Sequence, residues 1–507
     1  MKLDFGTAGI RGIVGESESN LNNIHAARVF DGFANYLLKN FQDARERGVV
    51  IGRDNRIKGR DFTHIAVTIL NSYGIKVYFN DKMLATPFIS FLTRKYNAVG
   101  AINITASHNP KQYNGIKIYN CQGCQLLPWE VNELKKCFKE YDHYRSYRDF
   151  QGNLNLNISL IELIKEKDYD EYVNQLLVIN YANLSLDNLK IIYSPLHGTG
   201  YPFVKKIFDK FNAKLIYEPN EIVEDENFTY VENPNPETQI AFKNSIKLLE
   251  ENQGDLILIT DPDSDRVGVA INHKGKIKIL SGNETAILIT DYLLKYKPFD
   301  ETQENYLVYS FVSTSLPAKM VQSRNIKSYI TETGFKWIGN KINLLADKAN
   351  FFFGFEESYG SLILDNIARD KDAIQGVLAL AIIASLAKQE GLNLYEKIQS
   401  IYEKYGYVKT KSFSHDLKDQ NQLEQIKSKF RTLNLSSNLI DFSKGYKDIE
   451  PNDMLMYVYD DDLTWVSLRP SGTEPKFKIY VHVIKNTSSQ AEELFDQIVE
   501  TINNKLF

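Results

Sequence analysis

The chain has 507 residues, 43% of them hydrophobic and 24% charged, with a formal net charge of −4. That length exceeds what one hydrophobic core supports and predicts three or four domains. The charge excludes a general pull toward nucleic acid or anionic membrane, so any anionic ligand must be held by locally placed Lys and Arg.

The start, MKLDFGTAGIRG, has no apolar signal core, which predicts a cytoplasmic protein. Residues 49–52 read as a strand. Phe62, Ile65, Ala66, Ile69, Leu70 and Tyr73 then recur at helical spacing until Gly74 ends the run. Residues 75–79 alternate like a strand, and 98–104 form the apolar run of a buried one. CQGC at 121–124 has no second CxxC and no nearby histidine pair, so Cys121 and Cys124 read as reduced thiols, not as a zinc or redox centre. Residues 138–185, rich in Asp, Tyr, Lys and Asn, predict a helical connection with a polar surface.

The same grammar restarts near Leu189. A strand at 189–193, a helix at 202–211, a strand at 214–217, a helix at 239–249 and a buried strand at 255–260 follow in turn. It restarts again with a strand at 306–311, a helix around 316–323, a strand at 327–330 and the apolar run 350–355. The stretch AIQGVLALAIIASLA, 373–387, falls short of the ~18–20 residues a bilayer requires and predicts a buried helix. After about residue 405 the pattern changes: a strand at 409–413, a helix around 422–431, a strand pair at 464–468 and 478–483, and a closing helix from Ser489. Three α/β domains, 1–186, 187–303 and 304–405, and a smaller α+β domain, 406–507, are therefore expected.

In each α/β unit an unusual loop follows an apolar strand, where open α/β sheets hold ligands: TASHNP, DPDSDR and GFEESYG. DPDSDR places Asp261, Asp263 and Asp265 so close together that they repel unless a cation lies between them. Hard oxygen ligands from a short loop suit Mg²⁺. An EF-hand is excluded, because Arg266 and Asn272 stand where Gly and Glu are required. In TASHNP, Ser107 lies in neither a GxSxG elbow nor a P-loop, and a free hydroxyl is a poor nucleophile. A serine beside a Mg²⁺ loop suits the role of a phosphoryl carrier.

TASHNP, DPDSDR, GFEESYG and RPSGTEPK, in this order on four segments, resemble the α-D-phosphohexomutase superfamily, the phosphoglucomutase/phosphomannomutase enzymes. FGTAGIRG, SPLHGTG, TETGFKWIG and ARDKDA extend the resemblance over essentially the whole chain, and the GFEESYG and FGTAGIRG forms look closest to the phosphoglucomutase-2-like branch. The resemblance implies mixed sheets around a central cleft, with Ser107 as the phosphoserine. It implies Asp261, Asp263 and Asp265 as ligands of one Mg²⁺ per chain, the serine phosphate adding a further ligand. Glu356 and Ser358 match the loop that bonds sugar hydroxyls. Arg469, Ser471, Gly472 and Thr473 match the loop that grips the phosphate not being transferred.

Some of these roles have support in the residue types. Arg offers phosphate a bidentate fork, and Ser, Thr and Gly donate from close range, within what also reads as a hairpin turn. Glu356 and Ser358 together supply an acceptor and a donor to vicinal hydroxyls, although paired acids also suit a helix start. The resemblance further makes Lys117 and Arg11 candidates for acid–base help or for the moving phosphoryl group, against the plain alternative of a solvated lysine. His108 either tunes proton transfer or fixes the loop through a backbone hydrogen bond. Arg266, Lys336, Lys371 and Lys476 would add positive potential to the cleft and steer a phosphosugar inward.

The expected activity is interconversion of glucose 1-phosphate and glucose 6-phosphate, with glucose 1,6-bisphosphate as intermediate and activator. Alternatives are mannose phosphate, a phosphopentose or bisphosphate synthesis, a Mg²⁺ phosphatase with an aspartate nucleophile, and a non-catalytic phosphosugar binder. The expected partner is a small phosphosugar, with no nucleic acid or membrane, on a monomer or a homodimer.

Overall fold

A computed structural model of the chain describes residues 3–6, 9–150, 152, 155–417, 419–447, 449–459, 461–470 and 476–506. Its first sheet contains β1 (Ile10–Ile13), β2 (Val49–Arg53), β3 (Val77–Phe79), β4 (Gly100–Ile104), β5 (Tyr113–Asn120) and β6 (Ile161–Leu163), in the order β1-β5-β4-β2-β3-β6. β4, β2, β3 and β6 run parallel; β5 and β1 pair antiparallel. The second sheet contains β7 (Lys190–Ser194), β8 (Lys214–Tyr217), β9 (Leu256–Thr260), β10 (Val267–His273) and β11 (Lys276–Leu280), ordered β11-β10-β9-β7-β8. The third contains β12 (Asn305–Ser310), β13 (Lys327–Thr331), β14 (Asn350–Phe355) and β15 (Ser361–Leu362), ordered β13-β12-β14-β15.

These three mixed sheets share one feature that creates the site. In each, a buried parallel strand ends, a loop follows, and the chain returns antiparallel beside it. Ile104 faces Ile116 across the first such return, Thr260 faces Val267 across the second, and Phe355 faces Ser361 across the third. The loops so formed are TASHNP, DPDSDR and the EESYG part of GFEESYG. β4 and β9 are buried along their whole length, which is why GAINI and LILIT read as unbroken runs with little alternation.

The fourth sheet is entirely antiparallel: β16 (Tyr407–Asp416), β17 (Asn438–Asp441), β18 (Leu455–Val458), β19 (Trp465–Pro470) and β20 (Lys476–Lys485), ordered β16-β20-β19-β18-β17. The architecture is thus three α/β/α domains and a further sheet-rich C-terminal domain.

The helix Ala373–Gln389 lies at the centre of the largest core cluster, which runs from the first sheet through the third. It is apolar all round because neighbours surround it. Its N-cap, Asp372, accepts from the Ile374 and Gln375 amides, and the Ala373 amide donates to the Ser264 carbonyl at 3.2 Å. The helix start therefore abuts DPDSDR. Among the described residues no single helix is long and apolar enough to cross a membrane.

Two local readings change. The connection 138–185 is not only helical: β6 lies within it and extends the first sheet beside β3. β10 and β11 form a hairpin through Lys274 and Gly275, both at positive φ, as a two-residue type I′ turn requires.

Candidate active site

The Ser107 loop is built from beneath. Ser107 is buried and sits at φ 53°, a left-handed conformation that a serine keeps only when its surroundings fix it. The Ser107 amide donates to Thr105 Oγ1 at 2.7 Å, and Thr105 Oγ1 donates to Asp54 Oδ2 at 2.6 Å. So held, Ser107 Oγ donates to Asp261 Oδ2 at 2.8 Å, across to the second sheet. His108 Nδ1 lies 3.2 Å from the same hydroxyl. Burial, with Arg266 and Arg11 nearby, pushes the His108 pKa well below its ordinary value, so the ring is neutral.

DPDSDR presents a buried triad. One oxygen from each of Asp261, Asp263 and Asp265 lies within 4.8 Å of the others. The Asp261 Oδ1 atom accepts from the Asp265 and Arg266 amides, both at 3.0 Å. Asp263 Oδ2 accepts from Thr86 Oγ1 at 2.8 Å and from Lys117 Nζ at 2.7 Å. Asp265 Oδ2 faces Lys117 Nζ at 3.3 Å and Lys371 Nζ at 3.2 Å. Burial and the two neighbouring carboxylates raise the Asp261 pKa; burial opposes the charge of Asp263 too, but Lys117 together with the hydrogen bonds from Asp261 and Thr86 lowers its pKa. Asp263 Oδ1 and Asp265 Oδ1 are buried with no hydrogen-bond partner. Two unsatisfied carboxylate oxygens beside a third acid are the donor set a hard divalent cation requires, so the residues fit Mg²⁺.

The solvated-lysine alternative fails for Lys117. It lies inside β5, not at a strand start, and is 2% exposed. Burial opposes its charge, but Asp263 and Asp265 override that and raise its pKa. Arg11, half-buried on β1, faces Asn109 Oδ1 at 3.5 Å. Arg266 pairs with Glu237 at 2.8 Å and lies 3.7 Å from Asp265.

The third sheet contributes next. Glu356 is buried and accepts from the Gly334 amide at 2.7 Å. Burial raises its pKa, partly countered by Lys371. Lys371 thus lies between the triad and the GFEESYG loop. Its stem passes so close to Gly360 that a Cβ there would lie 2.1 Å from Lys371 Cδ. Ser358 is half-buried, its Oγ 3.4 Å from Glu357 Oε1. Lys336 is buried, and burial lowers its pKa to about 8.

On the fourth sheet, Arg469 pairs across from Lys478, and Lys476 faces Asp416 at 3.8 Å. Ser471, Gly472 and Thr473 lie outside the described residues. A cavity of about 260 Å³ separates Glu357 and Ser358 from Lys478, Tyr480 and His482. Cys124 is a free buried thiol, its Sγ 3.4 Å from the Lys336 carbonyl.

Sequence reasoning missed the supports of the centre: Asp54, Arg56, Thr86 and Asn103, which donates to Thr86 Oγ1 at 2.7 Å. A signal existed for the first two. RDNR begins at the end of buried β2, the same position relative to a parallel strand that singled out the other loops.

Three family models described as phosphoglucomutase/phosphomannomutase alpha/beta/alpha domains I, II and III match residues 2–145, 169–275 and 281–405. A phosphoglucomutase of Staphylococcus haemolyticus is 34% identical over 100% of this chain and 93% of its own length. A phosphomannomutase of Mycoplasmoides pirum is 32% identical over 99% of this chain and 93% of its own. Among solved structures, the open form of the Paramecium phosphoprotein parafusin, a phosphoglucomutase, superposes with a TM-score of 0.76 at 18% identity, covering 99% of this chain and 95% of that one.

Proposed function

The chain belongs to the phosphoglucomutase/phosphomannomutase family of phosphohexomutases, and on that premise we propose that it interconverts glucose 1-phosphate and glucose 6-phosphate through a phosphorylated Ser107. The observation that carries this reading is the 2.8 Å contact between Ser107 Oγ and Asp261 Oδ2, which unites the alcohol of one sheet with the acid triad of another. Asp261, Asp263 and Asp265 would hold Mg²⁺, which when bound neutralises charge on the phosphoryl group.

In the forward half-reaction the phosphorus–Oγ bond of phospho-Ser107 breaks and a bond forms to the oxygen of the free sugar hydroxyl, which gives up its proton as Ser107 Oγ takes one, giving glucose 1,6-bisphosphate. The bisphosphate reorients, and its other phosphoryl group returns to Ser107 Oγ. Lys117, held as an ammonium by Asp263 and Asp265, places a positive charge beside the triad. Neutral His108, with Nδ1 3.2 Å from Ser107 Oγ, is placed to accept or return a proton at that oxygen when Asp261, 2.8 Å from it, is engaged with the cation. Glu356 and Ser358 are the proposed sugar contacts. Arg469, with Ser471, Gly472 and Thr473, is the proposed grip on the idle phosphate, with Lys336, Lys371 and Arg266 adding positive potential.

The 34% identical relative named a phosphoglucomutase and the 32% identical one named a phosphomannomutase support glucose and mannose almost equally. Coupled assays of the purified protein with glucose, mannose and ribose 1-phosphates side by side rank the substrates. Ser107→Ala is expected to lower turnover by at least about 10³-fold, with added glucose 1,6-bisphosphate giving no rescue. Near-normal activity in that variant, or release of inorganic phosphate faster than isomerisation, would overturn the carrier role.

A further inference from the structure

The loop between β4 and β5 has little ladder of its own, yet it must hold Ser107 in a left-handed turn. Its carbonyls need donors. One buried side chain supplies most of them. Arg56 Nη2 donates to the Ser107 carbonyl at 2.6 Å and to the Asn109 carbonyl at 2.5 Å. Arg56 Nη1 donates to the Pro110 and Tyr113 carbonyls at 2.9 and 2.8 Å. We propose that Arg56 is the positioning residue of the Ser107 turn, gathering four carbonyls of the 107–113 loop so that the hydroxyl is aimed at the acid triad.

Its own placement is over-determined. Arg56 Nε lies 3.3 Å from Asp54 Oδ2, the same oxygen that takes the Thr105 hydroxyl, and both side chains are fully buried. The face of the guanidinium packs on Phe228 at 5.3 Å, a residue of the segment that follows β8 in the second unit. Neighbours of Arg56 reach the same segment: Asn55 Nδ2 donates to the Asp225 carbonyl at 2.8 Å, and Arg53 pairs with Glu224 at 2.8 Å. The segment 53–56 therefore grips the serine loop with one side chain and the second unit with three. A planar fork with donors on two nitrogens can span four carbonyls, which a lysine ammonium cannot.

The proposal rests on Ser107 as phosphoryl carrier, and the test separates the two. Arg56→Lys keeps a cation opposite Asp54 but loses the fork. Expected are a fall in kcat of about 10²-fold and a KM within about threefold of wild type. Phosphoryl uptake from glucose 1,6-bisphosphate, read by intact mass, should slow in parallel. Amide exchange should accelerate at 107–113 while the centres of β2 and β4 keep their protection. Unchanged kcat, or loss of protection spread over the whole first sheet, would overturn the positioning role. Should Arg56→Lys fail to fold, Phe228→Leu, which removes only the ring beneath the guanidinium, is expected to lower kcat roughly 3–10-fold with the same local exchange pattern; wild-type exchange at 107–113 in that variant would overturn it. If wild type itself takes no phosphoryl group on Ser107, the carrier reading falls, and the exchange pattern still decides whether Arg56 orders the loop.

Discussion

The centre between the first two sheets and the face of the fourth sheet are fastened in different ways. Between the first and second sheets, Ser107, Thr86 and Lys117 all bond directly to the triad, and every partner is buried. The Thr86 amide also donates to the Asp263 carbonyl at 2.8 Å, so backbone as well as side chain is fixed. The fourth sheet is anchored to the third, through an apolar cluster that includes Phe311, Phe442 and Trp465, and through Ser315 Oγ donating to the Leu463 carbonyl at 2.9 Å. Toward Glu357 and Ser358 of the third unit it presents a cavity instead. The rigid pair suits a step in which atoms must meet within tenths of an ångström. The open face suits gripping the proposed bisphosphate, which would have to turn around between two such steps.

Disturbing the rigid pair should give the largest effect. Asp263→Asn removes a charge that Lys117 and Thr86 both address and takes one ligand from the proposed Mg²⁺ site. A loss of roughly 10²–10³-fold in kcat, with KM little changed, is expected from steady-state assays. Disturbing the grip should act differently. Arg469→Ala would remove the proposed phosphate contact, one expected in ground and transition states alike, so KM should rise about tenfold or more while kcat falls less. If Arg469→Ala instead lowered kcat at constant KM, the division between reaction centre and grip would be wrong.

The two regions also differed in how far the sequence disclosed them. The three loops after β4, β9 and β14 were legible because a buried strand leaves an apolar run and the residues after it, serine with histidine or clustered acids, have no structural need to be there. The order of strands within each sheet had no comparable signal. β6 is a three-residue edge strand in a polar stretch, and β17 and β18 pair antiparallel within a region where only the later strand pair showed clearly. The K-G turn of the β10–β11 hairpin was a usable sign that went unread. Lys117 illustrates the deeper limit. In NGIKIYN the alternation puts Lys117 opposite Ile116 and Ile118, which normally means water. Only the tertiary fold reveals that its face is covered by the second unit's acids. Arg56 is a partial case: its place after buried β2 marked the loop, but the four backbone carbonyls it gathers leave no trace in composition.

The smallest expected effect concerns the fourth sheet's anchoring. His482 on β20 is buried, stacks on Trp465 with ring centroids 5.0 Å apart, and meets Thr314 Oγ1 of the third unit through Nε2 at 2.9 Å. Its Nδ1 donates to the Leu463 carbonyl at 3.0 Å, which leaves Nε2 of the neutral ring to accept from threonine. Burial lowers its pKa from 6.5 to about 4. The unfolded chain therefore binds a proton that the folded chain refuses as pH falls from about 6.5 toward 4. Stability contributed by the neutral ring is present above that window and is lost through it, amounting to about 2 kcal/mol at pH 5. Wild type should lose more denaturant stability between pH 7 and pH 5 than His482→Gln, which keeps an acceptor and a donor but cannot titrate. Because Trp465 lies against the ring, its fluorescence should report the change at the interface between the third and fourth sheets, while the exchange protection of the Ser107 amide, corrected for the intrinsic pH dependence of exchange, stays constant. Equal pH dependence in the two proteins would mean that protonation of His482 does not govern this joint, and that the fourth sheet is held as firmly as the pair it faces.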